Sequence, residues 1–341
     1  MLEIDGSQGE GGGQILRTSL ALSILTRQPM RITRIRSGRP KPGLQPQHLK
    51  SVQAAAAISN ASVVGAAFGS QELVFKPGEV KHGRYQFDIG TAGSTSLVLQ
   101  TIFMPLSRSD RLSQLLLIGG THVPFAPCFH YLEQQWLYYL KKAGYEAQLF
   151  LEAAGFYPRG GGRMRAIIQP AAHIAPLHVT ERGALLRIQG ISGVANLDMS
   201  IGKRQKLHAL RRLEERLREV KIQDLELTSP VKGTFLLLKA EFEHSSCCYS
   251  ALGEPGKRAE IVADEAVDKL EAFLATDGAI DQYLADQLML PLAFAGGESL
   301  LRTSQVTQHQ LTNAAVIQQF TAVKIHIVGD LGKPGLIRIT P

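Results

Sequence analysis

The chain has 341 residues, with 37 Lys and Arg against 30 Asp and Glu, a net charge of +7, 44% hydrophobic residues and 6% aromatic ones. That composition describes an ordinary folded protein of two domains, or one large domain with an insertion, and excludes collagen, coiled coil and disorder. The longest apolar runs, at 20–25 and 115–118, fall far short of the ~18 residues that a membrane-spanning helix needs.

The start, Met1-Leu-Glu-Ile-Asp5, carries acids where a signal peptide requires a basic and then an apolar run, so a cytoplasmic protein is expected. Residues 2–5 read as a strand, followed by a Gly-rich turn and a helix over 14–26. The same layout recurs: a strand at 31–35, a Pro/Gly loop and an Ala-rich helix over 47–59; a strand at 85–89, Gly90-Thr-Ala-Gly-Ser-Thr-Ser96 and a helix through Gln100; then a strand at 115–118 and a helix over 129–142. Such recurrence predicts an α/β protein built from duplicated βαβ-type units. Near Gly183 the chain becomes richer in charge. A helix is predicted over 203–221, where Leu207, Leu210, Leu213, Leu217 and Val220 fall at three- and four-residue steps. After Gly278 the small-residue character of the first half returns, with Gly296-Gly297, and the chain ends in a helix over 311–320 and strands. The expected organisation is a large domain over 1–183 and 278–341, interrupted by a smaller α/β insert at 184–277. Cys128, Cys247 and Cys248 have neither disulfide nor metal spacing.

Charge is distributed unevenly. From Gly11 to Gln71 there is no Asp or Glu, yet Arg17, Arg27, Arg31, Arg34, Arg36, Arg39, Lys41 and Lys50 lie there. Such a stretch is a solvated basic face or the footprint of an anionic partner. Its densest part, Arg34-Ile-Arg-Ser-Gly-Arg-Pro-Lys-Pro-Gly-Leu44, sets guanidinium forks on a stiff loop, which suits phosphate; nucleic acid and nucleotide remain undistinguished.

Gln8-Gly-Glu-Gly-Gly-Gly-Gln14 before a helix has the form of an anion cradle, without the ending of a Walker A loop. Glu10 within it is either an acid stabilised at a helix start or a ligand for Mg²⁺ or Mn²⁺ beside bound phosphate. Gly155-Phe-Tyr-Pro-Arg-Gly-Gly-Gly162 reads as a hairpin or a tightly packed loop. No His pair has zinc spacing. His309 in Gln308-His-Gln-Leu-Thr-Asn313 sits at a helix start, where the dipole disfavours imidazolium and would leave a neutral nitrogen free as a nucleophile; a structural histidine is the competing description. Tyr283, Asp286 and Gln287 share one helical face, either to hold a base and a metal or to cap and pack.

In order and spacing, Gln8 to Arg17, Ile35 to Leu44, Gln47-His-Leu49, Gly90 to Gln100, Gly155 to Gly162, Glu181-Arg-Gly183, Tyr283 to Leu288 and His309 to Asn313 give the chain, over nearly its full length, the pattern of a family. It resembles the RNA 3′-terminal phosphate cyclases. That resemblance implies a large domain of three repeated βαβαββ-type units, similar to the C-terminal domain of a translation initiation factor and to shikimate-pathway synthases, with a smaller inserted domain. It also implies conversion of an RNA 3′-phosphate to a 2′,3′-cyclic phosphate, with ATP and a divalent metal. His309 would attack the α-phosphate to form histidine–AMP; AMP would pass to the RNA 3′-phosphate, and the 2′-OH would displace it. Glu10 would hold the metal, and Arg17, Arg36 and Arg39 would clamp phosphates. His48 and Gln100 would be nearby polar contacts, Tyr283, Asp286 and Gln287 would line the nucleotide site, and Pro127 would form an apolar wall for adenine. The chain departs from the family's usual pattern in Thr121-His-Val-Pro-Phe-Ala-Pro-Cys-Phe-His130, at the residue after Thr121 and the residue after Pro127. The alternatives are a silent, cyclase-like RNA-binding factor in ribosome assembly, which His309 argues against, and a carboxyvinyl-transferase-like enzyme, for which substrate motifs are lacking.

Overall fold

The computed structural model describes residues 1–214 and 219–341. The chain begins with β1 (Leu2–Asp5), α1 (Gly13–Thr26), β2 (Met30–Thr33), α2 (Pro46–Ser59), β3 (Ser62–Val64) and β4 (Leu73–Lys76). Their strands form one sheet in the order β1-β2-β4-β3, parallel between β1 and β2 and antiparallel elsewhere. Next come β5 (Arg84–Asp88), α3 (Thr95–Ser107), β6 (Ser113–Gly119), α4 (Phe129–Tyr131), a π-helical stretch Leu132–Trp136, α5 (Leu137–Lys142), β7 (Ala147–Ala153) and β8 (Gly162–Ile168). They repeat the arrangement as β5-β6-β8-β7, with only β5 and β6 parallel.

After β9 (His178–Val179) the chain runs through β10 (Leu185–Ala195), α6 (Met199–Glu214), β11 (Val220–Glu226), β12 (Gly233–Phe242), β13 (Ser246–Leu252) and α7 (Ala259–Leu274). This sheet has the order β11-β10-β12-β13. Then α8 (Gln282–Leu292), β14 (Ser299–Thr303), α9 (Gln308–Phe320), β15 (Lys324–Val328) and β16 (Gly335–Thr340) return to β9, giving β9-β14-β16-β15, again with one parallel pair followed by antiparallel ones. The protein is therefore α/β with four mixed four-stranded sheets. No helix among the described residues is long and apolar enough to cross a membrane.

Patterning explains the layers. Strand β12 reads as a nearly continuous apolar run because both its faces are covered. Leu236, Leu238 and Ala240 join the core formed with α6 and α7, whereas Phe235 and Leu237 point into the larger core shared by the other three sheets. Helix α1 is apolar almost all round, which buries it: it packs against α2, α3 and α9, and α9 also meets α8.

Two expectations change. The helix predicted over 203–221 is α6, ending at Glu214; Val220 and Lys221 begin β11, and Leu217 lies outside the described residues. The buried stripe is Gly202, Gln205, Ala209 and Leu213, one step around from the predicted face, so Leu207 is 52% exposed. The strand predicted over 31–35 ends at Thr33, because Arg34 and Arg36 turn the chain at φ 53° and 54°.

Asp281 ties the pieces around the fourth sheet. Its carboxylate accepts from Tyr131 OH at 2.8 Å, Leu284 N at 2.8 Å, Gln135 Nε2 at 3.1 Å and Cys248 N at 3.4 Å. Burial raises its pKa to about 6 even against those donors. Asp281→Ala strands four buried donors and is expected to cost about 3 kcal/mol or more. Calorimetry should show a melting midpoint lower by ~4 °C or more, while Ile261→Ala on the outer face of α7 should leave it nearly unchanged.

Candidate active site

The loop before α1 is built for close approach. Gly9 has φ +58°, and a Cβ there would lie 2.1 Å from Thr312 Oγ1 on α9; one at Gly12 would lie 2.1 Å from Glu10 Oε1. At Gly13 it would lie 2.5 Å from His48 Nε2 and 2.7 Å from Arg17 Nη1. The glycine run thus lets Glu10, Arg17 and His48 crowd one spot that side chains would fill. The Glu10 amide donates to Thr312 Oγ1 at 3.3 Å, which closes the loop onto α9.

Helix α9 starts in a capping box: Thr307 Oγ1 accepts from Gln310 N at 3.2 Å, and Gln310 Oε1 accepts from Thr307 N at 3.1 Å. His309 therefore stands in the first turn on a fixed backbone, with Nε2 2.9 Å from Glu10 Oε2. Asn313, one turn on, donates to the Asp286 carboxylate at 3.0 Å and accepts from Thr18 of α1 at 2.8 Å.

These groups set each other's protonation. Burial pushes the Glu10 carboxyl up, but the His309 hydrogen bond and the charges of His309, Arg39 and Arg17 outweigh it and leave Glu10 below the ordinary range. The Glu10 contact raises His309 above its usual 6.5 against the effect of burial. The contacting carboxylate thus acts against the helix start, favouring the protonated ring where the fractional charge of the terminus disfavours it. Asp286 is raised by burial to about 6, with His309, Asn313 and Arg17 opposing. Burial lowers Arg17 to about 10.

A cleft of about 1580 Å³ opens beside this cluster and is lined by Arg17, Gln100, Pro127, Tyr283, Asp286, Gln287 and His309 among others. Gln100 Nε2 donates to Gln287 Oε1 at 2.9 Å, joining α3 to α8. Tyr283 and Asp286 reach the cleft from α8, as their spacing predicts, and Pro127 is held by Ser96 donating to its carbonyl at 2.6 Å.

Glu10, Arg36, Arg39 and His48 stand outside the cleft wall, around the Gly-rich loop. Arg39 Nη2 reaches Glu10 Oε2 at 3.3 Å. Arg36 turns back on its own loop, donating to Lys41 O at 2.5 Å and Gly43 O at 3.1 Å. His48 accepts from Gln45 N at 3.3 Å through Nδ1, and burial, with Arg17 and Arg36 nearby, lowers its pKa to about 3. The basic stretch has more counter-charge than its sequence suggests: Arg31, Arg34 and Arg39 pair with Glu72, Asp5 and Glu10, all outside the acid-free run.

Among the described residues, no group of three or more His, Cys, Asp or Glu side chains is arranged to hold a metal. Glu10 and Asp286, the two carboxylates acting on His309, suit a cation completed by water and substrate phosphate rather than by a protein cage. Sequence reasoning missed His122, in the cleft wall, whose Nε2 lies 2.9 Å from His130 Nδ1 and whose Nδ1 lies 2.8 Å from Thr121 Oγ1. It also missed the bonds of Asn313; its short polar side chain on a buried helix face was the available signal.

A family model described as RNA 3′-terminal phosphate cyclase matches residues 8–327. Proteins named RNA 3′-terminal phosphate cyclase are similar along nearly their whole length. The one from Nostoc punctiforme is 42% identical over 334 residues, 96% of each chain. That from Archaeoglobus fulgidus is 43% identical over 330 residues, 97% of this chain and 98% of the relative. That from Ralstonia nicotianae is 45% identical over 332 residues, 96% and 94% respectively.

The Glu10–His309 pair makes a direct prediction. In an NMR pH titration the His309 ring should titrate above 6.5, and Glu10→Gln should move its midpoint down. An unmoved midpoint would mean that the pair does not form in solution.

Proposed function

The chain belongs to the RNA 3′-terminal phosphate cyclase family, and from that membership we propose that it uses ATP to convert an RNA 3′-terminal phosphate into a 2′,3′-cyclic phosphodiester through histidine–AMP at His309. The observation that carries the assignment is the His309 ring fixed beside Glu10 at the edge of a cleft large enough for a nucleotide and a strand end. Pockets of about 300–1,000 Å³ suffice for a small ligand alone.

A phosphate monoester dianion is a poor electrophile, and activation solves that problem. His309 bonds to the α-phosphorus of ATP as the bond to the β-phosphate oxygen breaks and pyrophosphate leaves. An oxygen of the RNA 3′-phosphate then takes the adenylyl group, which breaks the N–P bond and regenerates the ring. Finally the 2′-OH attacks the 3′-phosphorus, gives up its proton and expels AMP. Tyr283 and Pro127 supply walls for adenine, with Gln287, held by Gln100, and Asp286 beside them. Arg17, Arg39 and Arg36 form the positive side against which phosphates align, and His48, kept neutral, adds a polar contact without further charge. Glu10, with Asp286 behind it, would hold Mg²⁺ or Mn²⁺, which when bound offsets triphosphate charge.

In this reading the sheets β1-β2-β4-β3, β5-β6-β8-β7 and β9-β14-β16-β15 belong to three copies of a βαβαββ unit, residues 1–183 and 278–341, and the sheet β11-β10-β12-β13 with α6 and α7 is an insert at 184–277.

The test is incubation with α-³²P-ATP and Mg²⁺ or Mn²⁺. A labelled protein band, stable to alkali and labile to acid, should discharge onto RNA with a 3′-phosphate and not onto a 3′-OH end. His309→Ala should abolish it, and a band that persists in that variant removes His309 as the nucleophile. Because attack needs the unprotonated ring and Glu10 raises its pKa, labelling should increase with pH through an inflection above 6.5. No band with either metal, together with intact RNA binding, would favour the silent assembly factor.

A further inference from the structure

Two aromatic rings stand free on the lip of the same cleft. Phe125 is 103% exposed and has φ +60°, a backbone region that costs a bulky L-residue roughly 1–2 kcal/mol. Tyr157 is 69% exposed. Burial does not explain either ring, and the loop that strains Phe125 is held firmly: Phe129 N donates to Thr121 O at 2.9 Å, and Gly155 N donates to Thr121 Oγ1 at 2.9 Å. Strain held in place by its surroundings points to use rather than to accident. Arg159 and Lys232 line the same cleft, both exposed and, among the described residues, without an ion pair. The three loops are one ledge: His122 N donates to Gly155 O at 3.0 Å, and Ala154 N donates to Thr228 O at 2.8 Å. Two other lysines of the cleft are already committed, Lys257 to Glu265 at 2.7 Å and Lys269 to Ser250 O at 2.8 Å.

Resting on the cyclase reading, we propose that the RNA nucleotides just 5′ of the reacting end stack on Phe125 and Tyr157 and set their phosphates against Arg159 and Lys232. The substrate is a polymer whose end must reach His309, so its chain has to leave the cleft across a wall. Flat rings accept any base, because every base has a π-face, and flanking cations follow the backbone without reading sequence. The ledge combines both features. Phe125 lies between His122 and Cys128, the two positions at which the 121–130 segment departs from the usual family pattern.

The experiment measures binding of a 5′-fluorescent, 3′-phosphorylated ten-nucleotide RNA by anisotropy, in parallel with self-labelling by α-³²P-ATP in the absence of RNA. The double variant Phe125→Ala/Tyr157→Ala should bind the ten-mer at least ~30-fold more weakly, since each of the two stacked bases is worth about 1–3 kcal/mol, and should self-label like the wild type. Phe125→Trp should bind as the wild type does. Arg159→Ala/Lys232→Ala should reduce the slope of log affinity against log salt by about 1.4, or 0.7 for each lost phosphate contact on a single strand. Wild-type affinity in the aromatic variant overturns the proposal. So does a loss of self-labelling that parallels the loss of RNA binding, which would assign the rings to ATP or to the fold. If the wild type never self-labels, the cyclase reading fails, and the anisotropy series still decides whether the ledge holds RNA.

Discussion

Three buried helices meet at one polar point, and the candidate site depends on that meeting. The Thr18 hydroxyl of α1 donates to Asn313 on α9, and Asn313 donates to the carbonyl and carboxylate of Asp286 on α8. Helices that pack only by apolar side chains can slide or rotate by small steps with little penalty, whereas a buried hydrogen-bond chain has one register in which no donor is orphaned. That register brings the Gly-rich loop, which ends at α1, against the first turn of α9, and so puts Glu10 in contact with His309. The glycines are the second half of the constraint. With a side chain at Gly9 or Gly13, α1 could not approach α9 and α2 this closely.

The electrostatics follow from that crowding. Arg17 is buried deeply enough to fall to about 10, and it stays charged because Glu10 and Asp286 face it. The two carboxylates differ: Glu10, touching His309 and Arg39, is held ionised, and Asp286, farther inside, is raised to about 6. Environments that push two carboxyls in opposite directions are a feature of reactive sites. The pattern is also found in structural ion-pair networks, so here the adjoining cleft makes the difference. It gives these charges access to a ligand.

Much of this was legible from residue order. The strand, Gly-turn, helix rhythm located β1, β5, β6, α1, α2 and α3, because amphipathic or apolar periods and turn residues act locally. The face shared by Tyr283, Asp286 and Gln287 was readable for the same reason. What failed was whatever depended on distant partners. The countercharges of Arg31 and Arg34 come from Glu72 and Asp5 across β-sheet neighbours. The stripe on α6 was misplaced because Gly202 and Gln205 are buried by packing against β10, where Ser192 holds Gln205, and neither residue looks apolar in the sequence. The short strands β3, β4 and β9 carry too few residues to show a period.

The protonation of His309 is the clearest case of a local argument overruled by a long-range one. A helix start bears a fractional positive charge worth about 0.3–1 kcal/mol to an exposed group, and from sequence that was the visible influence on the ring. Glu10 is 299 residues away along the chain and 2.9 Å away in space, and it brings a full charge and a hydrogen bond. Both influences act on one nitrogen, and the larger sets the resting state: a ring that keeps its proton more tightly than a free histidine. For a nucleophile this is the less reactive form. The reactivity of His309 in the proposed reaction is therefore governed by Glu10, whose own commitments to Arg39 and to any cation beside phosphate decide how firmly that proton is held. The acid in the glycine run and the histidine on α9 work as one unit, which explains why a carboxylate belongs in a loop otherwise shaped for anions.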